Sequence, residues 1–395
     1  MPRVNPELLV WARETGGLTL EEAAHKLDVK ETSLTSYEAG SAVPSRPLLL
    51  RMSKQYRRPL VAFYMTAPPR RGDRGEDFRS VPEQQSDSAA MVDALVRDIR
   101  ARQTMVRSLL EDEDEADALP FVGSASMEDG VGTVLASMRQ TIGLDLTEFR
   151  AQASPEGAFA LLRNRVEAVG VFVLLIGNLG SHHSAIDVEA FRGFALADPV
   201  APFIVINDQD AKAAWSFTLL HELAHIWLGA SGVSGTSSSV SIERFCNDVA
   251  SAFLLPPQEL SLLQFGSGDD LDAMVQAISD FARERHLSRP LVAYRLLRAT
   301  TITEPTWKVI GEQFRKQWLE GRERQREAAR SREKGGPNFY VVRRHRLGTA
   351  LLRLVSRTLS EGILTPTKAG KVLGVRPRNV GPLLSGAALS SGQAA

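Results

Sequence analysis

Two histidines four residues apart, His221 and His225, enclose Glu222-Leu223-Ala224 in the stretch 217–227. Apolar spacers surround them and no Gly or Pro interrupts before Gly229, so the stretch reads as a helix. Residues four apart share one helix face, which lets two imidazole nitrogens converge on a point. Two neutral imidazoles suit a zinc ion but leave it short of charge and of ligands. A catalytic zinc site takes a third protein ligand and keeps one position open for water. Glu222 lies beside that point, where a carboxylate acts as general base instead of ligand. An H-E-x-x-H string also arises by chance on surface helices. Here two of only seven histidines fall in it, among apolar spacers, which favours a built site.

The third ligand must come from elsewhere in the chain. After the Gly- and Ser-rich loop 229–239, a second amphipathic helix covers 242–256, with Phe245, Cys246, Val249 and Phe253 on its apolar face. Glu243, at its start, offers the negative charge the two histidines lack. Asn247, one turn later, can hydrogen-bond a ligand from behind. Cys246 and Asp248 are rival ligands. Cys246 reads better as a small buried hydrophobe, and Asp248 falls on a different face from Glu243. His182 and His183, in a loop between strands, read as an exposed turn.

The elements that must position these residues follow from the pattern upstream. Apolar runs at 170–176, 190–196 and 202–207 read as strands directly before the histidine helix, so a small sheet packed on that helix is expected. An edge strand of such a sheet can take an extended substrate by β-augmentation. Helices are expected at 6–16, at 20–27 with Thr19 and Glu22 as a capping box, at 30–39 and around 48–54. Further helices are read at 86–115, 127–142 and 155–168, after a polar linker at 70–75. Downstream, 269–286 and 288–297 read as helices, and 309–334 as a long charged one broken by Gly335-Gly336-Pro337. A basic end follows. Residues 347–360 form a helix, and 364–380 have a second helix-turn-helix look, with Thr365 as cap and Gly374 at the turn. Residues 385–395 read as a frayed tail.

The fold class expected is α+β, mostly α, in five parts: 1–68, a helix-turn-helix domain of four or five helices; 69–169, a helical support; 170–260, a zincin-like metal core; 261–334, a helical extension; and 335–395, a basic helical end. The 395 residues are 43% hydrophobic and 24% charged, enough for a sizeable core. With 47 basic and 47 acidic residues, contact with nucleic acid has to come from local patches. The single cysteine rules out an intrachain disulfide and suits a reducing compartment. No apolar signal core opens the chain and no run is long enough for a membrane span, so a cytoplasmic protein is expected.

Two resemblances sharpen this reading. The string Leu18-Thr19-Leu20-Glu21-Glu22-Ala23-Ala24, then Leu27-Asp28-Val29, then 33–40 and Pro44, resembles the Xre (lambda-repressor-like) DNA-binding family. Asp28 stands where that family usually has Gly, and Tyr37 where it often has Trp. The resemblance implies that the helix from Lys30 enters the major groove, with Lys30, Thr32, Ser33 and Thr35 towards bases or phosphates. Glu31, Glu38 and the scarcity of Arg also suit a helical interaction domain that has lost DNA binding. The strings 217–225 and 243–256 are similar to the ImmA/IrrE metallo-endopeptidase family, many of whose members carry an Xre domain ahead of the peptidase. That resemblance covers about 170–260, and 261–395 are only loosely alike. It implies zinc held by His221, His225 and Glu243, with Glu222 taking a proton from water and handing one to the leaving amine. A donor to the oxyanion is expected, and the sequence does not single one out. The implied function is a zinc endopeptidase fused to a DNA-binding domain, acting on a protein such as an Xre-type repressor to release a stress or mobile-element response. The alternative is a DNA-binding regulator or antitoxin-like adaptor whose metal domain does no proteolysis.

Overall fold

Asn5 accepts a hydrogen bond from the Glu7 amide and opens α1 (Pro6–Glu14), with Pro6 in the first turn, where a missing N–H costs nothing. The structure, a computed structural model, describes residues 3–68, 86–180, 184–233, 240–265, 270–330 and 338–385. The linker read at 70–75, His182-His183, the distal part of the loop 229–239, the break at 335–337 and the tail from 386 lie outside the described residues. Thr19 and Glu22 form the expected capping box on α2 (Leu20–Leu27), and Asp28 then turns the chain in the left-handed conformation, φ 54°. Next come α3 (Glu31–Glu38) and α4 (Arg46–Gln55), the latter capped by Ser45. Leu9, Ala12, Ala23, Leu27, Leu34 and Met52 meet in one small core. Arg13 ties α1 to α3 through a two-pronged hydrogen bond to Glu38, at 2.8 and 3.0 Å.

The described residues group into two compact units. One holds most of 1–101 with 177–191, and the other holds the rest. After α5 (Ser86–Asp112), the second unit builds α6 (Gly130–Ile142), α7 (Leu146–Arg150) and α8 (Pro155–Ala168), then a four-stranded sheet. Its strands are β1 (Phe172–Leu175), β2 (Gly193–Leu196), β3 (Phe203–Ile206) and β4 (Gly232–Val233), in the order β1-β3-β2-β4. β1 runs parallel to β3, β2 antiparallel to β3, and β4 antiparallel to β2. β1, β2 and β3 are buried along their whole length, as their unbroken apolar runs require. Between β3 and β4 lies α9 (Lys212–Trp227), packed on β2, β3 and α8. Then follow α10 (Val240–Leu254), α11 (Pro257–Leu260), α12 (Leu271–Glu284), α13 (Arg289–Arg298) and α14 (Glu304–Arg330). Val275, Ile278, Phe281, Leu291, Val292 and Leu296 put α12 and α13 into the same core as α9 and α10.

The chain ends, as described, with α15 (Phe339–Leu347), α16 (Thr349–Ser360), α17 (Pro366–Leu373) and α18 (Val380–Leu384). A buried ion pair fastens α15 and α16 to the second unit. Arg163 of α8 bonds Glu167 at 3.1 Å and donates to the carbonyls of Val173, His345 and Arg346. Glu167 accepts from the Thr349 and Ala350 amides and the Thr349 hydroxyl, at the start of α16.

The α+β, mostly helical class is therefore as expected, with departures in detail, among them the helices α7, α11 and α15, which the sequence pattern leaves unassigned. The sheet has a fourth, two-residue strand, paired through backbone alone and so without a side-chain signature. The long charged helix starts at Glu304 instead of near 309, because the Thr303 hydroxyl accepts from the Thr306 amide. No helix among the described residues is long and apolar enough to cross a membrane.

Candidate metal centre

Every residue of α9 from Thr218 to Trp227 is buried, so its two histidines sit inside the protein and not on a wet surface. Their Nε2 atoms are 3.2 Å apart, with the rings edge to face. α10 packs against α9 and brings Glu243 to the same point. Glu243 Oε2 lies 3.3 Å from His221 Nε2, and Oε1 lies 3.5 Å from His225 Nε2. Ligands of a zinc ion at about 2.0–2.1 Å lie about 3.3–3.4 Å apart, so the triangle of the two nitrogens and the carboxylate, each oxygen facing a different histidine, is of the size such an ion would need. Among the described residues, these three form the group of His, Cys, Asp and Glu side chains close enough to share a metal. Glu222 stays outside that group and is fully buried beside it.

The electrostatics agree with a charge-paired cluster. Burial disfavours the imidazolium of His225, but hydrogen bonds to Cys246 and Glu243 outweigh it and raise its pKa well above the ordinary value. Burial pushes the Cys246 thiol up, so it is neutral near pH 7 and the Glu243 carboxylate is the true counter-charge. Burial likewise opposes the Glu243 anion, yet hydrogen bonds from His221 and His225 hold it well below the usual carboxylate range. One carboxylate and two imidazoles make a donor set that would hold a zinc ion.

The other residues singled out by sequence fall as follows. Cys246 is buried behind His225 and takes no part in the triangle. Asp248 faces away, accepting from the Tyr294 hydroxyl at 2.7 Å and from both prongs of Arg298. Asn247 is half-buried on α10, one turn after Glu243. Nδ1 of His221 meets no hydrogen-bond partner among the described residues. In the N-terminal unit Lys30, Thr32 and Thr35 are exposed and Ser33 half-buried, with Lys30 preceding α3 and the other three on it.

One functional position escapes the sequence reading. Gly193 opens β2 against α9. A β-carbon there would come within 2.7 Å of Thr218 Cγ2 and 2.9 Å of Glu222 Oε1, so the absent side chain makes room for the carboxylate. The signal is present in the sequence, since a Gly inside a strand pattern marks close approach by another group.

With this geometry in hand, residues 178–297 match the family described as the IrrE N-terminal-like domain, and residues 9–63 match the helix-turn-helix family. The chain thus carries a segment similar to the helix-turn-helix family ahead of one similar to the IrrE N-terminal-like domain. No curated protein and no solved structure gives a match. The IrrE-like segment takes in β2, β3, α9 and α10, and hence His221, Glu222, His225 and Glu243. It also runs past 260, where the sequence resemblance thins, through α12 and α13. Within that span α12 and α13 share the core of α9 and α10, and Tyr294 bonds Asp248 of α10.

Proposed function

We propose that this protein is a zinc-dependent endopeptidase joined to a DNA-binding domain, and that it cleaves a protein, such as an Xre-type repressor, to release a stress or mobile-element response. The observation that carries this reading is the convergence of His221 Nε2, His225 Nε2 and the Glu243 carboxylate, whose two oxygens lie 3.3 and 3.5 Å from the two nitrogens, with the buried Glu222 next to them. His221, His225 and Glu243 hold the metal, and zinc there supplies Lewis acidity to a scissile carbonyl and acidifies a water molecule. Glu222 takes the proton from that water and passes one to the leaving amine. Burial keeps bulk water from competing for that carboxylate, and the gap at Gly193 fixes where it points. Lys30, Thr32, Ser33 and Thr35 bring the enzyme to DNA, near the repressors it acts on.

The test is to incubate zinc-loaded protein with an Xre-type repressor encoded beside it and to map new termini by mass spectrometry. A discrete cut that a chelator abolishes supports the reading. An intact repressor in the zinc-loaded reaction counts against it.

A further inference from the structure

The C-terminal end repeats the N-terminal helix-turn-helix at a constant offset. Adding 346 to residues of α1–α3 carries Glu14, the last residue of α1, onto Ser360, the last of α16. The same shift carries α2 (Leu20–Leu27) onto α17 (Pro366–Leu373), both eight residues long. Leu18, Thr19, Ala23, Leu27 and Val29 recur as Leu364, Thr365, Ala369, Leu373 and Val375. The local chemistry recurs with the letters. Thr19 accepts from the Glu22 amide and Thr365 from the Lys368 amide. Asp28 and Gly374 both turn the chain at left-handed φ, 54° and 61°. The amides of Val29 and Val375 then bond the carbonyls of Ala24 and Gly370 at 3.1 and 2.8 Å. The buried positions coincide too, Leu8, Leu9 and Ala12 of α1 with Leu354, Val355 and Thr358 of α16, and Leu34 with Val380. The differences lie after the turn. Residues Pro377–Asn379 are a 3-10 turn, and α18 completes a shorter helix than α3.

The two copies differ most in charge. In the N-terminal copy Glu21, Glu22, Glu31 and Glu38 surround the turn. Residues 362–385 hold Lys368, Lys371, Arg376 and Arg378 and no Asp or Glu, in a chain of zero net charge. All four cations are exposed. The offset places Arg376 and Arg378 where Lys30 and Thr32 stand, at the start of the helix that a helix-turn-helix lays in the major groove. Lys368 and Lys371 fall on the preceding helix, which crosses the phosphate backbone in that geometry.

We infer that α16–α18 form a second helix-turn-helix, and that its Arg376–Arg378 edge binds the phosphates of double-stranded DNA. Its partner is a nucleic acid and not an acidic protein, because the cations decorate the two segments that this arrangement sets against a duplex. The site is independent of whether the metal centre cleaves anything.

The experiment uses the full-length protein and a fluorescent random-sequence duplex of about 30 base pairs, titrated by anisotropy between about 50 and 200 mM salt. Each phosphate contact contributes about 0.9 to the slope of log affinity against log salt. Arg376→Ala with Arg378→Ala is expected to weaken binding at least about tenfold and to flatten the slope by about 2. Lys368→Ala with Lys371→Ala, on the other helix, gives a second and separate loss. All four side chains are exposed, so circular dichroism should stay that of the parent. Unchanged affinity and slope in both variants, with Lys30→Ala alone removing the binding, would overturn the inference. So would loss of binding to anionic vesicles or an acidic protein with duplex binding intact.

Discussion

A β-carbon placed on Gly193 would stand 2.9 Å from Oε1 of Glu222, closer than non-bonded atoms tolerate. Glu222 is fully buried and Thr218 crowds the same spot, so the displaced group would be the carboxylate. Gly193→Ala is therefore expected to lower kcat by about 10²-fold, the scale for moving a reacting group by roughly an ångström. Zinc content and melting temperature should change little, because His221, His225 and Glu243 do not touch this position. Steady-state kinetics beside metal analysis checks it; zinc loss in parallel with activity would show that the strand itself had been disrupted.

Glu243 supplies the one formal negative charge in the ligand triangle, and Cys246 stands outside it. Glu243→Ala should leave purified protein with little stoichiometric zinc, whereas Cys246→Ala should keep one ion per chain. Metal analysis after exhaustive dialysis distinguishes them. Retention by Glu243→Ala with loss by Cys246→Ala would reassign the third ligand.

Arg163 and Glu167 form a buried pair whose remaining hydrogen bonds all go to backbone or to Thr349. Removing one partner leaves the other charged and stranded, at a cost of about 3–5 kcal/mol. Glu167→Ala should lower the unfolding free energy, read by denaturant titration, by that amount and open the 338–350 region to limited proteolysis first. A loss below about 1 kcal/mol would place the fastening of α15 and α16 elsewhere.

Asp28 holds a left-handed conformation that glycine adopts without steric cost. Asp28→Gly is expected to stabilise the N-terminal unit by about 0.5–1 kcal/mol, while Gly374→Ala, at the matching turn with φ 61°, should destabilise by a similar amount or more. Denaturant titration of both variants reads the two signs.

Much of this architecture is legible in the amino-acid sequence, and the reason is local physics. The Thr19–Glu22 box, the span of α8 and the three apolar strands are written in consecutive residues. The pairing of His221 with His225 follows from helical periodicity, and Glu243 is reachable because the ion's charge demands a carboxylate. What stays hidden depends on contacts between residues far apart in the chain. Nothing in the residues around Arg163 marks it as buried; its partner, the carbonyl of His345, is 182 positions away. Gly193 means little until Glu222 is packed on its strand. β4 has two residues and pairs through backbone alone.

Proteolysis at this centre with Glu222 as the base is tested by comparing two proteins. Wild type and Glu222→Gln are each loaded with zinc, confirmed at equal metal content, and incubated with the same Xre-type repressor. Wild type should give a discrete cleavage, and the variant a rate at least about 10²-fold lower, the lower range for losing a general base. Equal cleavage by both proteins, or none by either at full zinc occupancy, would contradict it.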